Sequence, residues 1–340
     1  MNLKSIAQEL GISPSTVSRV VNGNKNFSVS PELREKILAR ANATGYTPNP
    51  MYQAMRKKDN RQISILMSNL LHTSSGTEIA AGVDRFCEYL LDHGFSFHYL
   101  GHTLEHQKTY GLPPWKVAGA LVVDVRREEL VAELDASPIP YVSLNGEAGP
   151  HGTSVITDDY ANTLEAMEYL YQLGHRRIAY LNFYRPPELI PFQPADHHYS
   201  VRMRIQAYQD FCRERNLPIL PESLDNACTY EILTQKALDL GYTAIAVYSF
   251  TQALQVEYSL RKRGLRVPQD MSLLTFNNPS YAEYINPAMT CIEIPTEEMG
   301  LSAARLLIAK YKDPSHCAGE TVSFKGKLIQ RESTGPYPCR

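Results

Sequence analysis

Long apolar runs are missing from this chain of 340 residues. A membrane-spanning helix needs about 20 consecutive apolar residues, whereas stretches such as Ala118–Val123 are far shorter and suit a buried strand. The opening MNLKSIAQELG has no apolar core ahead of a small-residue cleavage site, so no export is expected and the protein is placed in the cytoplasm. Cysteine is sparse. Cys87, Cys212, Cys228, Cys291, Cys317 and Cys339 are scattered without a CxxC pair, which argues for reduced, buried thiols rather than a disulfide frame or a zinc site. Tryptophan occurs once, at Trp115 after Pro113-Pro114, where a packing role is expected. GxGxxG, phosphate-loop and nucleophile-elbow motifs are also absent. No cofactor is therefore implied, and an enzyme would have to assemble its chemistry from residues far apart in sequence.

What is present begins with charge asymmetry. The net charge is −2, yet residues 1–60 carry nine Lys/Arg against four Asp/Glu. A small basic module joined to a larger acidic body is the simplest reading, and a basic module suits an anionic partner. Its sequence spells three short helices. Leu3, Ile6, Ala7 and Leu10 form one apolar stripe, stopped by Gly11. Ser13-Pro14 and Ser30-Pro31 are each a capping residue followed by proline in the first helical position. The second helix runs to about Asn22 with Val17, Val20 and Val21 inward; the third carries Leu33, Ile37, Leu38 and Ala41.

Two short helices joined tightly through Gly11-Ile12-Ser13 have the helix-turn-helix arrangement. The second helix turns Ser15, Thr16, Ser18, Arg19 and Asn22 away from its valines, and short hydroxyls, an amide and an arginine can address phosphates and base edges in a major groove. A small helical bundle with a polar face fits the spacing as well.

From Ile63 onward, short apolar runs (Ile63–Met67, Ala118–Val123, Tyr141–Leu144, Arg177–Leu181, Ala244–Tyr248, Ser272–Phe276) alternate with helical stripes such as Ile79–Leu91 and Asn162–Leu173. Alternation of this kind predicts an α/β body with parallel sheets, and about 280 residues suit two lobes better than one. Asp158-Asp159 is the expected crossover. Ligands of open parallel sheets bind beyond the carboxyl ends of the strands, which nominates His72, Ser74, Asp124, Arg126, Asn145, Asn182, Tyr184, Ser249, Phe250, Asn277 and Asn278. Each can equally be a polar loop residue. With Ser200 as a cap, Arg202 and Arg204 fall in or just after a first helical turn, against the helix dipole. The plain alternative for Arg204 is a local ion pair, for instance with Asp196. His102 and His106 are four apart, as two metal ligands on a helix would be, but no third ligand is evident and a solvated face is preferred; His197-His198 is expected in solvent.

LKSIAQELGISPSTVSRVVNG, followed by VSPELREKILARANATGYTPNP, closely resembles the N-terminal domain of the lactose-repressor family of bacterial transcription regulators. DDYANTLEAMEYLYQLGHRRIAYL, RIQAYQDFCRERNLP and LRKRGLRVPQDMSLLTFNNPSYAEYINPAMTCIEIPTEEMG extend the resemblance over nearly the whole chain. The resemblance implies a helix-turn-helix head at 1–48, a hinge at 49–60 and an effector-binding, dimerising body at 61–340. That body would be periplasmic-binding-protein-like, with lobe one near 61–159 and 292–322 and lobe two near 160–291 and 323–340. In the hinge, Met55 matches the leucine that wedges between base pairs in the minor groove, and Tyr52 stands where a small residue is usual. Arg204 matches the effector-binding arginine, while Ser249-Phe250 replaces a common Asn-Asp. An apparent insertion, FYRPPELIPFQPADHHY, holds Tyr184, Phe192 and Tyr199, which can stack on a sugar or simply pack the loop. The implied protein is a homodimeric repressor, not an enzyme and not at a membrane. It would bind double-stranded operator DNA and sense a small molecule, a carbohydrate ahead of a nucleobase or a protein corepressor.

Overall fold

The computed structural model describes residues 3–23, 27–46, 61–68, 76–102, 117–124, 128–182, 198–220 and 229–337. The chain packs as two compact units, Met1–Arg61 and Gln62–Arg340.

In the first unit, α1 (Leu3–Glu9), α2 (Pro14–Val21) and α3 (Pro31–Ala43) surround a small core of Ile6, Ala7, Val17, Val20 and Ile37. Both serine caps form as expected: Ser13 Oγ accepts from the Thr16 amide at 3.1 Å and Ser30 Oγ from the Leu33 amide at 3.3 Å. Gly11 sits at φ +65°, the left-handed turn that lets α2 start directly after α1. Leu38 departs from its expected place in the stripe. It is 40% exposed, because Ile37 and Ala41 already fill the contact with the other two helices.

The second unit holds two sheets. The first, in order β10-β5-β4-β3-β1-β2, comprises β1 (Gln62–Ser68), β2 (Ser96–His102), β3 (Gly119–Val123), β4 (Tyr141–Leu144), β5 (Thr153–Thr157) and β10 (Thr321–Phe324). All its pairings are parallel. The second, in order β11-β9-β8-β7-β6, comprises β6 (Ile178–Leu181), β7 (Ala244–Val247), β8 (Ser272–Phe276), β9 (Thr290–Glu293) and β11 (Lys327–Ile329). Here only the edge strand β11 runs antiparallel, against β9. Central strands are predominantly apolar because both faces are covered. Ile63, Leu121 and Val123 belong to one core, and Leu66, Ala120 and Val122 to the core on the opposite face.

Helices α4 (Gly76–Asp92) and α10 (Thr296–Lys312) cover the first of these faces with Val83, Phe86, Met299 and Leu307. They meet at two glycines: a Cβ on Gly300 would lie 1.8 Å from the Gly82 carbonyl oxygen. Among the described residues the remaining helices are α5 (Glu128–Ala136), α6 (Asp159–Gln172), α7 (Tyr199–Glu214), α8 (Tyr230–Asp239) and α9 (Phe250–Lys262). The chain passes between the sheets three times, after Thr157, after Glu293 and after Phe324. The latter two points lie two residues beyond the expected 291/292 and 322/323, since β9 stays whole in the second sheet and β10 in the first. His102 ends strand β2, so the helical spacing considered for it with His106 does not arise; His106 itself lies outside the described residues.

Candidate functional site

On the head, α2 presents Ser15 and Arg19 to solvent, with Thr16 and Asn22 half-buried. Ser13 Oγ also lies 2.8 Å from both the Ser15 and Thr16 hydroxyls, so the start of the helix is tied into one hydroxyl cluster. Arg19 rests its guanidinium 4.9 Å from the centre of the Phe27 ring. Ser18 is a correction: it is buried, and the Asn22 amide donates to its carbonyl at 2.6 Å and its hydroxyl at 3.2 Å. Eight residues give little more than two turns, and Val17 draws its neighbour into the core side. Of the expected DNA-facing residues, Tyr52 and Met55 lie outside the described residues.

In the body, a cavity of about 40 Å³ opens where strand ends of the two sheets meet. Asp124, Asn145 and Asn277 line it, following β3, β4 and β8, and Arg204 of α7 joins them. These three strand-end residues share a further property. Their φ angles are +57°, +56° and +74°, the left-handed region that Asn and Asp tolerate better than other side-chain-bearing residues. Backbone held this way concentrates at functional sites, where the surrounding fold enforces it.

Arg204 is 3% exposed and engaged through two of its three nitrogens. Its Nε donates to Asp159 Oδ1 at 2.6 Å and its Nη1 to the Tyr248 carbonyl at 2.6 Å. The ion partner among the described residues is Asp159, at the start of α6; Asp196 lies outside the described residues. Aromatic faces flank the guanidinium, with Phe276 at 4.1 Å and Tyr248 at 4.8 Å. Burial disfavours the charge, but Asp159, Tyr248 and Tyr180 outweigh it and hold the pKa above the ordinary arginine value. Nη2 is the group left for a ligand among the described residues. The helix cap is His198 and not Ser200, which places Arg204 in the second turn, beyond the strongest part of the dipole.

The other expected residues divide. Asn182 is buried at the end of β6, and neither amide atom has a hydrogen-bond partner among the described residues. Phe250 does not reach the cavity. At 1% exposure it packs in the second-lobe core, its ring edge-on to Tyr281 at 5.3 Å, because as the first residue of α9 it turns onto the sheet. His72, Ser74, Arg126 and Tyr184 lie outside the described residues.

Sequence reasoning missed His198, Ser200 and Tyr248 as contributors, and offered Tyr199 only as a ring for stacking or packing. His198, expected in solvent, is 7% exposed, with Nε2 2.6 Å from the Asn145 carbonyl and 3.4 Å from Asp124 Oδ1. Tyr199 Oη donates to Asn145 Oδ1 at 3.2 Å and accepts from the Thr157 amide at 3.0 Å; burial pushes its pKa far up, keeping it protonated. Ser200 Oγ lies 2.8 Å from Tyr248 Oη. The signal available was position: all four flank Arg204 or a strand end.

Residues 2–49 match the family described as bacterial regulatory proteins, lacI family, and residues 167–334 match the periplasmic binding protein-like domain. The chain therefore carries a lacI-family head and a periplasmic-binding-protein-like body. The HTH-type transcriptional repressor PurR of Vibrio cholerae serotype O1 (strain M66-2) is 27% identical over 325 residues, covering 92% of each chain. Among solved structures, the lac repressor dimer bound to operator and the anti-inducer ONPF superposes with a TM-score of 0.75 at 20% identity, covering 98% of this chain and 99% of that one. The complex of the transcriptional regulator CelR with cellobiose gives 0.65 at 24% identity, again over 98% and 99%. With this lacI-family head, the chain is a DNA-binding transcription regulator, with operator DNA as the partner of its helix-turn-helix domain. Among the described residues no helix is long and apolar enough to cross a membrane.

Proposed function

We propose that this regulator is a homodimeric repressor whose body senses a small carbohydrate in the cavity around Arg204, and that it binds and does not transform that ligand. The observation that carries the reading is the convergence of Arg204 with three left-handed Asn/Asp residues at the carboxyl ends of strands from both sheets. Strand ends are where such folds hold ligands, and short carboxamides and carboxylates beside one arginine suit hydroxyl groups. The similarity to a regulator that carries cellobiose supports a sugar, and the similarity to a repressor dimer on operator supports the assembly. Asp124, Asn182, Asn277 and Arg204 are the proposed effector contacts, with His72, Ser74 and Tyr184 as further candidates; Phe250 acts behind them as packing. On the head, Ser15, Thr16, Arg19 and Asn22 are the proposed DNA contacts, joined by Tyr52 and Met55 of the hinge. Effector binding favours one arrangement of the two lobes, and that arrangement favours or forbids engagement of operator DNA by the head and hinge.

A thermal-shift screen of the full chain against sugars and nucleobases tests this. A ligand at 100 times its Kd stabilises the protein by about 2.7 kcal/mol. A sugar that raises the melting temperature of the wild type and not of Arg204→Lys supports the reading. Lysine cannot reproduce the pair of bonds to Asp159 and the Tyr248 carbonyl while also serving a ligand. A shift confined to nucleobases would replace the carbohydrate, and turnover of the bound compound would replace the regulator by an enzyme.

A further inference from the structure

The cavity holds a few waters at most: about 40 Å³, against the roughly 300–1,000 Å³ of ordinary ligand pockets. What fills the remaining space is the chain itself. Two consecutive residues of lobe two reach lobe one. His198 Nε2 meets the Asn145 carbonyl at 2.6 Å and Asp124 Oδ1 at 3.4 Å. Tyr199 Oη bridges the Asn145 side chain and the Thr157 amide. Behind them, Ser200 Oγ links the His198 Nδ1, at 2.7 Å, to Tyr248 Oη. One more cross-lobe bond, Arg202 to Glu147 at 2.6 Å, lies at the exposed rim, where ion pairs contribute little.

The imidazole is the centre of this arrangement. A carbonyl oxygen only accepts, so Nε2 carries the hydrogen that meets Asn145. Nδ1 then accepts from the Ser200 backbone amide at 3.4 Å, which is the cap of α7. One ring therefore ends a helix in lobe two and bonds two strand ends of lobe one. Those strand ends, Asp124 and Asn145, are held in the left-handed conformation that aims them at the cleft, and the ring occupies them. A sugar hydroxyl placed there would make the same two bonds.

We propose that His198 is an internal cross-brace that holds the lobes closed in the absence of effector, and that an entering ligand takes over its bonds to Asn145 and Asp124. This rests on the cavity being the effector site, but the brace itself is measurable with no ligand present. Hydrogen exchange of the full-length apo protein, read by peptide mass spectrometry, reports it directly, since the Thr157 amide donates across the cleft to Tyr199. His198→Asn and His198→Ser are the variants, because both side chains cap helices well and neither spans the distance an imidazole does. The expected result is at least tenfold faster exchange in the peptide covering 153–158, with the interior strands β3 and β7 unchanged. Unchanged exchange at 153–158 in both variants would show that His198 only caps its helix, and would overturn the proposal. Acceleration spread equally over β3 and β7 would overturn it too, by making His198 a support of the whole body. Failure of every sugar in the thermal-shift screen would remove the effector reading and leave the brace standing or falling on these data alone.

Discussion

Ser15 and Arg19 stand exposed on α2, held by a hydroxyl cluster and one ring contact. Arg204 and Asp124, in contrast, are buried in the body and already bonded to protein groups before any ligand arrives. DNA is a large, fixed, anionic partner that supplies desolvation and charge from outside, so flexible exposed donors suffice for it. A small neutral ligand brings few groups of its own. The site proposed for it is organised beforehand, and the cost is carried by the fold: three left-handed residues and a buried ion pair. One consequence is that recognition and stability are separable in the head and entangled in the body.

Arg204→Ala gives the largest effect and bears most directly on that contrast. It leaves the Asp159 carboxylate buried without its partner, and breaking a buried pair costs about 3–5 kcal/mol. Chemical denaturation of the body should show a loss of that size together with loss of effector response. If stability were unchanged, the body's recognition groups would be as independent of the fold as those of the head.

Arg19→Ala should act the opposite way. Losing a base-edge contact costs about 1–3 kcal/mol of operator affinity, and the contact with Phe27 contributes about 0.5–1 kcal/mol at an exposed site. Operator titration at two salt concentrations, alongside a melting curve, checks both parts. A variant that lost most of its stability would show that Arg19 holds the head together instead of reading DNA.

The same contrast explains what could be read in the residues. The head was legible because its signals are local: Ser13-Pro14 and Ser30-Pro31 start helices whether or not anything else is known, and both caps form. The central strands β1, β3, β4, β7 and β8 announced themselves as apolar runs covered on both faces. Strands β2, β10 and β11 did not, since SFHYLGH, TVSF and KLI carry polar residues that edge positions tolerate, and β5, although interior, was hidden by the hydroxyl residues of TSVIT. Arg204 was identifiable, but its partner lies 45 residues earlier in the chain, at Asp159. His198 was out of reach for the same reason. Its burial depends on Asn145 and Asp124, which spacing along one chain does not bring near it. Phe250 was misplaced because the residue beside a strand end starts a helix, and the first position of α9 faces the core.

The smallest expected effect sharpens the comparison most, because it sets the same residue type at the same kind of position in both regions. Ser13 and Ser249 are both N-caps. Ser13 Oγ accepts from the Thr16 amide, whereas Ser249 makes no side-chain cap bond, and its hydroxyl is buried with no partner among the described residues. Ser13→Ala should destabilise the head by about 1 kcal/mol, the usual worth of a cap. Ser249→Ala removes a hydroxyl that contributes no bond and already carries its desolvation cost, so it should leave stability within about 0.5 kcal/mol or raise it slightly. If Ser249 lies within reach of the effector at the end of β7, the same substitution should also weaken the sugar-induced melting shift. Denaturation of the two variants in parallel, followed by the thermal-shift assay, separates the outcomes. A cost at Ser249 matching that at Ser13 would mean that its hydroxyl serves the helix, as in the head, and is not held in reserve for a ligand.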